Sequence, residues 1–437
     1  MADKRGLGTM VTDDIEMSSS GFDVFTAPSP ENVMKTSKIV EYNVSSTMQD
    51  CGPFEFIIPE DGEYWTSLNK TRLYISLKVV KKSTKGDLDA TDAVSYCNLF
   101  PQSLFKQIEI ELNGKQINDL STPTYALKAY METMLSYGTD AQKTHLRLSG
   151  FNKDEPGKEE DLTGDVLKAR TAKLHKNKEM HFCIPIHADF IQNNKYLFPG
   201  NSMKFRFIRN SDSYSLISAT EIGYIQITRM RLEMHKILLS ETFSKSFQST
   251  LLREPSLYPL IQSRMKTILL TRGIEANNYG TVLQGILPTS LTICLLSEGS
   301  YNGHIASNPF KFAPYGMVYL NVKKNGAPIL SKPLVPSFEN DDFCREYNML
   351  FQNIGVHNSN NSIDITPEDF TSNCTFYVYD FSPDKCNNAH IHESVTGSVD
   401  IEIGFDKALA NNIYMLLYAT YRTSVMIDKE KNVLMLD

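Results

Sequence analysis

One unit occurs twice in this chain, and it restricts the fold more than any other feature. LFKQIEIELNGKQI occupies residues 104–117, and GMVYLNVKKNGAPIL occupies residues 316–330. In each, β-branched and apolar residues alternate with polar ones and run into Asn-Gly. Period-two alternation is the signature of a strand with one buried face, and Asn-Gly favours a type I′ hairpin turn, whose two central residues need positive φ. Apolar residues lie one, three and five positions before Asn113, and three, five and seven before Asn325. The two units therefore turn the same parity inward.

The flanking elements repeat in the same order. An alternating strand precedes each unit (73–80; 291–296), and an amphipathic helical stripe ending in glycine follows it. The first helix is expected from a Thr122 cap, with Leu127, Tyr130, Met131, Met134 and Leu135 as its stripe and Gly138 as its stop. The second is expected after Asn340, with Phe343, Tyr347, Leu350, Phe351 and Ile354 before Gly355. An aromatic-rich strand, a Gly/Ser-led strand and a long closing strand complete each set. A chain of 437 residues exceeds what one hydrophobic core serves. The expectation is an all-β protein: two tandem eight-stranded jelly-roll sandwiches or barrels, with a few short helices in the loops. Residues 1–37 form a polar arm, 38–238 the first jelly roll, 239–262 a connector with a short helix, and 263–437 the second jelly roll and tail.

Composition removes several function classes. A net charge of -7 argues against coating nucleic acid by bulk electrostatics. Seven cysteines, never spaced Cys-x-x-Cys, read as buried free thiols in a reducing compartment. No signal peptide is visible at MADKRGLGTM, and no apolar run is long enough to span a bilayer. His390, His392 and Glu393 are the nearest approach to a metal cluster, but the spacing is wrong for a cupin site, so neither metal nor cofactor is expected. No nucleophile elbow, phosphate loop or dinucleotide fingerprint occurs, so no catalytic residue is assigned. The charged segment 150–179 reads as a solvated outer loop. Within the arm, Phe22, Val24 and Phe25 form an apolar island expected to dock onto a neighbouring subunit.

Several stretches, in order along nearly the whole chain, resemble the double jelly-roll major capsid proteins of polinton (Maverick) elements and adintoviruses, relatives of adenovirus hexon. FDVFTAP (22–28) resembles that family's Leu-Asp-Leu-Phe-x-x-Pro arm, and SLFKQIEIELNG (103–114) its Ser-Leu-Phe-Ser-Gln-Val-Asp-Val-x-Leu-Asn-Gly segment. YALKAYMETMLSYG (125–138), residues 284–309, KPLVPSFEN (332–340) and DKEKNVL (428–434) continue the likeness. At 203–209 the chain reads MKFRFIR where the family usually has Asn-Gly. The resemblance implies a homotrimeric, pseudo-hexameric capsomer tiling an icosahedral virion beside neighbouring capsomers and a separate penton protein. It implies no enzymatic activity and no sequence-specific nucleic-acid contact. Geometry agrees: three two-barrel chains place six similar barrels around one axis. Tyr130, Phe343 and Tyr347, with the arm's Phe22, Val24 and Phe25, are the expected assembly residues. The competing expectations are a carbohydrate-binding or adhesion β-sandwich and a cupin-like enzyme.

Overall fold

In the computed structural model, which describes residues 32–45, 52–118, 123–175, 179–383 and 393–436, both Asn-Gly pairs form the turns their chemistry favours. Asn113 and Gly114 have φ 51° and 78°, and Asn325 and Gly326 have φ 52° and 79°, the all-positive pair of a type I′ turn.

Eight strands form the main paths of the first barrel's two sheets: β1 (Met34–Asn43), β2 (Phe54–Ile58), β3 (Tyr64–Lys81), β4 (Phe105–Leu112), β5 (Lys115–Gln116), β6 (Met180–Pro185), β7 (Met203–Arg209) and β8 (Gly223–Leu239); the short strand Tyr196–Leu197 adds to β3, and Val94–Tyr96 pairs with Leu216–Ser218 beside them. Eight more build the second: β9 (Ser256–Leu270), β10 (Ala276–Ile286), β11 (Ser290–Ser297), β12 (Met317–Lys324), β13 (Ala327–Pro328), β14 (Tyr377–Asp380), β15 (Thr396–Phe405) and β16 (Ile413–Ile427). The first barrel's sheets run β1-β8-β3-β6 and β2-β7-β4-β5; the second's run β9-β16-β11-β14 and β10-β15-β12-β13. Adding eight to every label of the first pair gives the second pair. This interleaved order is the jelly roll, present twice.

The duplication extends to single atoms. Asn113 donates its backbone N–H to the Ser202 carbonyl at 3.0 Å and accepts the Ser202 N–H on its side-chain oxygen at 2.9 Å. Asn325 makes the same pair with Ser398, at 2.9 and 2.8 Å. A bulge interrupts β4 between Phe105 and Gln107, and another interrupts β12 between Met317 and Tyr319. Each extra residue, Lys106 or Val318, stands seven positions before its turn asparagine. The inward parity holds as well, with Ile108, Ile110 and Leu112 buried in one barrel and Leu320 and Val322 in the other. Asn113 also donates to Asn201 and to the Lys431 carbonyl, whereas Asn325 is exposed. Asn113→Ala is therefore expected to cost roughly 1–3 kcal/mol and Asn325→Ala about 1 kcal/mol or less, as read by denaturant unfolding. Equal costs at the two positions would contradict this ranking.

Five local expectations need correction. Strand β1 begins at Met34, inside the stretch assigned to the arm, and β9 begins at Ser256, inside the connector. The connector does hold a helix, α3 (Glu241–Leu251), capped by the Ser240 side chain accepting from Phe243 N–H. Helix α1 (Tyr125–Ser136) is preceded by Thr124 at its N-cap, two residues beyond the Thr122 expected to cap it. Gly138 is not a left-handed stop; a Cβ there would lie 2.4 Å from the Ser362 carbonyl oxygen, so close backbone approach is what requires glycine. The second helix, α4 (Cys344–Asn353), does end as expected: Gly355 has φ 80°, Gly355 N–H bonds the Gln352 carbonyl, and Val356 N–H bonds that of Phe351. This is a Schellman closure. The five described cysteines are free, and Cys344 is exposed rather than buried.

The two barrels share their cores. Helix α1 belongs to the first barrel's chain, but its Leu127, Tyr130, Met131 and Met134 pack into the second barrel's cluster. In return Tyr258, Val425, Ile427 and Val433, from the second half, lie in the first barrel's cluster. The last described strand, Val433–Leu436, pairs with the end of β16. Just before it, Lys431 reaches the Pro199 carbonyl at 2.8 Å and lies over the Phe198 ring.

Candidate functional site: the inter-barrel seam

The expected assembly residues fall in unlike places. Phe22, Val24 and Phe25 lie outside the described residues, as do His390 and His392. Tyr130 is 2% exposed. Its ring stacks on Phe310 with centroids 4.4 Å apart and planes 5° apart, and Phe312 lies 5.8 Å away. Phe343 is buried and Tyr347 half-buried, in an aromatic cluster around Phe370 (5.9 and 5.5 Å). The Tyr347 hydroxyl donates to the Ile365 carbonyl at 2.8 Å. Here Tyr130 joins barrel to barrel, and Phe343 and Tyr347 brace the second barrel.

Two ionic clusters lock the seam. In the first, Lys128 of α1 lies 2.6 Å from Asp189 and 3.6 Å from Glu132. Glu132 also takes His187 Nδ1 at 2.7 Å and the Tyr418 hydroxyl at 3.1 Å. Asp189 accepts from Ser263, N–H at 3.0 Å and Oγ at 2.8 Å. Tyr418 and Ser263 come from the second barrel, and the other groups from the first. Burial would raise the Glu132 carboxyl, but the Lys128 ammonium, the His187 ring and Gln192 outweigh it and hold the group at about 2. Burial likewise pulls the Lys128 ammonium down, but Asp189 and Glu132 more than compensate and raise it.

Because the folded carboxyl titrates below its ordinary 4.5, its contribution is complete above about pH 4.5 and is lost as pH falls toward about 2. The magnitude is on the order of 3 kcal/mol. Glu132→Gln is expected to flatten that acid limb in unfolding measured against pH. Parallel curves for the variant and the unsubstituted protein would contradict the assignment.

The second cluster overturns the solvated-loop expectation for 150–179. In helix α2 (Asp165–Leu174), Leu167, Arg170 and Leu174 are buried on one stripe, and Arg170 is 0% exposed. Its guanidinium meets Asp154 at 2.7 Å and donates to the carbonyls of Tyr96, at 3.0 Å, and Asn152. Asp154 and the Glu159 carbonyl both accept from Asn308 Nδ2 at 3.2 Å. Lys311 pairs with Glu160 at 3.1 Å, and Lys153 with Asp369 at 2.6 Å. The segment is a strap: Lys153, Glu159 and Glu160 meet Asp369 and Lys311 of the second barrel, Arg170 meets Asp154 within the strap, and Lys158, Asp161, Lys168 and Lys173 stay exposed. The sequence did hold a signal: an arginine on an otherwise apolar helical stripe has to be paired.

Among the described residues no group of three or more His, Cys, Asp or Glu side chains could hold a metal ion, and no helix is long and apolar enough to cross a membrane. One outward sheet face carries an apolar strip, bordered by Ser424 and Arg422. Leu257, Met426 and Leu434 stand side by side across β9, β16 and the final strand, followed by Pro259, Ser424 and Leu436. Ile261 extends the strip, and Leu257 and Ile261 are 52% and 62% exposed. Pro259 is tolerated because β9 is a sheet edge.

No family model matches the chain. An uncharacterized protein of Caenorhabditis elegans is 23% identical over 426 residues, covering 93% of this chain and 98% of that protein. Three solved capsid structures resemble the fold along nearly the whole chain. VP54 of PBCV-1, fitted into a reconstruction of the virophage Sputnik, gives a TM-score of 0.59 at 10% identity, covering 94% of this chain and 98% of that one. The Faustovirus major capsid protein gives 0.57 at 11% identity, with 97% and 93% covered. The mavirus major capsid protein gives 0.54 at 10% identity, with 97% and 95% covered. The likeness spans both barrels and their connection, so the double jelly roll is common to all of them.

Proposed function

We propose that this chain is a major capsid protein, assembling as a homotrimer whose six barrels tile an icosahedral shell. The observation that carries the reading is the fusion of two jelly rolls of identical strand order into one block. A threefold ring of such blocks presents a near-hexagonal outline, and hexagonal tiles cover a surface. Full-length resemblance to viral major capsid proteins supports the same role. A relative attributed to a nematode supports a genome-integrated element of the polinton (Maverick) or adintovirus kind. In this reading the protein acts in the virion, contacts neighbouring capsomers and a penton protein at the vertices, and performs no catalysis.

The exposed strip of Leu257, Ile261 and Leu434 offers the apolar surface that a subunit contact buries. Light scattering of the purified protein is expected to give three times 49.4 kDa. Leu257→Asp with Ile261→Asp is expected to leave a folded monomer, because neither side chain serves a core. A monomeric unsubstituted protein would refute the trimer, and a trimeric double variant would move the contact elsewhere.

A further inference from the structure

At the foot of the first barrel lies a groove of about 410 Å³, walled by Trp65, Phe198, Leu238, Leu239, Phe247 and Leu251. Helix α3 forms one side. The helix buries none of its residues fully, and Phe243 on its apolar stripe is 40% exposed. Phe247 packs edge-on against Trp65 with centroids 4.7 Å apart, and Phe243 lies 6.1 Å from the same indole. Trp65 is 7% exposed, yet its buried Nε1 has no hydrogen-bond partner among the described residues. The groove is thus an aromatic trough with its apolar wall half covered and a donor unspent.

The chain enters beside it. The Val33 carbonyl accepts the Ser240 N–H at 2.8 Å, at the first turn of α3, and Lys35 lines the groove. Upstream stands the island Phe22-Asp23-Val24-Phe25, eight residues before Val33. Eight residues span at most about 26–29 Å, which is ample to turn back onto a groove that the chain already borders. The chemistry fits. Two phenylalanines and a valine match the apolar walls; the rim carries Lys35 and Lys431 with Glu63 and Glu241, a balanced set, so the match rests on the apolar side chains and the short tether.

We infer that this groove is the seat of the chain's own Phe22-Asp23-Val24-Phe25 segment. The short tether sets a high effective concentration, on the order of millimolar, and favours the protein's own arm over that of a second copy. This seat is on the same chain, where the sequence-based expectation has a tie to a neighbouring subunit. The inference stands whether or not the protein builds a shell.

The test uses the full-length protein and a fluorescein-labelled peptide of residues 18–31, read by anisotropy at dilutions where light scattering reports monomer or trimer unchanged. The unsubstituted protein is expected to bind the peptide at least about tenfold more weakly than Phe22→Ala/Phe25→Ala, because its own arm fills the groove. Adding Phe247→Glu to that double variant, with its melting temperature checked against the parent, is expected to abolish binding. Failure of the double variant to bind would overturn the seat. So would binding that survives Phe247→Glu. Equal binding by the unsubstituted protein and the double variant would overturn the intramolecular clasp.

Discussion

Tyr130→Ala is expected to cost about 3–5 kcal/mol, the range for removing a large aromatic side chain from a packed core. The ring is 2% exposed and lies flat on Phe310, with Phe312 beside it. Its removal deletes contacts between a helix of one half and strand-flanking residues of the other. Stacked aromatic pairs contribute roughly 0.5–1.5 kcal/mol beyond the area they bury, so part of the loss is specific to geometry. Tyr130→Phe keeps the ring and gives up only a hydroxyl 4.0 Å from the Cys374 sulfur; it is expected to cost about 1 kcal/mol or less. Denaturant unfolding followed by circular dichroism separates the two variants. Equal costs would mean that the hydroxyl, not the stacked ring, holds the seam.

Arg170→Ala carries a comparable penalty for a different reason. Its guanidinium is fully buried and neutralises Asp154 while serving the Tyr96 and Asn152 carbonyls. Deleting one member of a buried pair leaves the other charge in a poorly solvated place, at about 3–5 kcal/mol. Replacing both members, as Arg170→Met with Asp154→Leu, is expected to recover much of that loss, because no stranded charge remains. Arg170→Lys is expected to rescue little, since a point charge cannot reproduce the planar fork that meets three acceptors. A double variant no more stable than Arg170→Ala would show that the strap depends on its hydrogen bonds rather than on charge balance.

The barrels were legible in the sequence because strands carry their own record. The alternation before Asn113 and Asn325 marks buried parity, and Asn-Gly marks the turn. The order of the flanking runs then gives the strand sequence twice. The seam was harder to read, for a physical reason. Lys128 and Glu132 stand at i and i+4 on a helix and look like an ordinary surface pair. Only tertiary packing brings Asp189, Ser263 and Tyr418 onto them. The strap at 150–179 read as solvated because a run of charges is usually paired with water. Its partners Asn308 and Lys311 lie some 150 residues away, and no local pattern announces them. Gly138 shows the same limit: a glycine after a helical stripe suggests a stop, yet here it admits the Ser362 backbone.

The most direct measurement of the central claim is single-particle electron microscopy of the purified protein. Particles are expected to show threefold symmetry and six barrel-sized lobes in a near-hexagonal outline, two lobes per chain and held together within each chain. Isolated two-lobed particles under all assembly conditions, or chains whose two lobes separate and move independently, would contradict that claim.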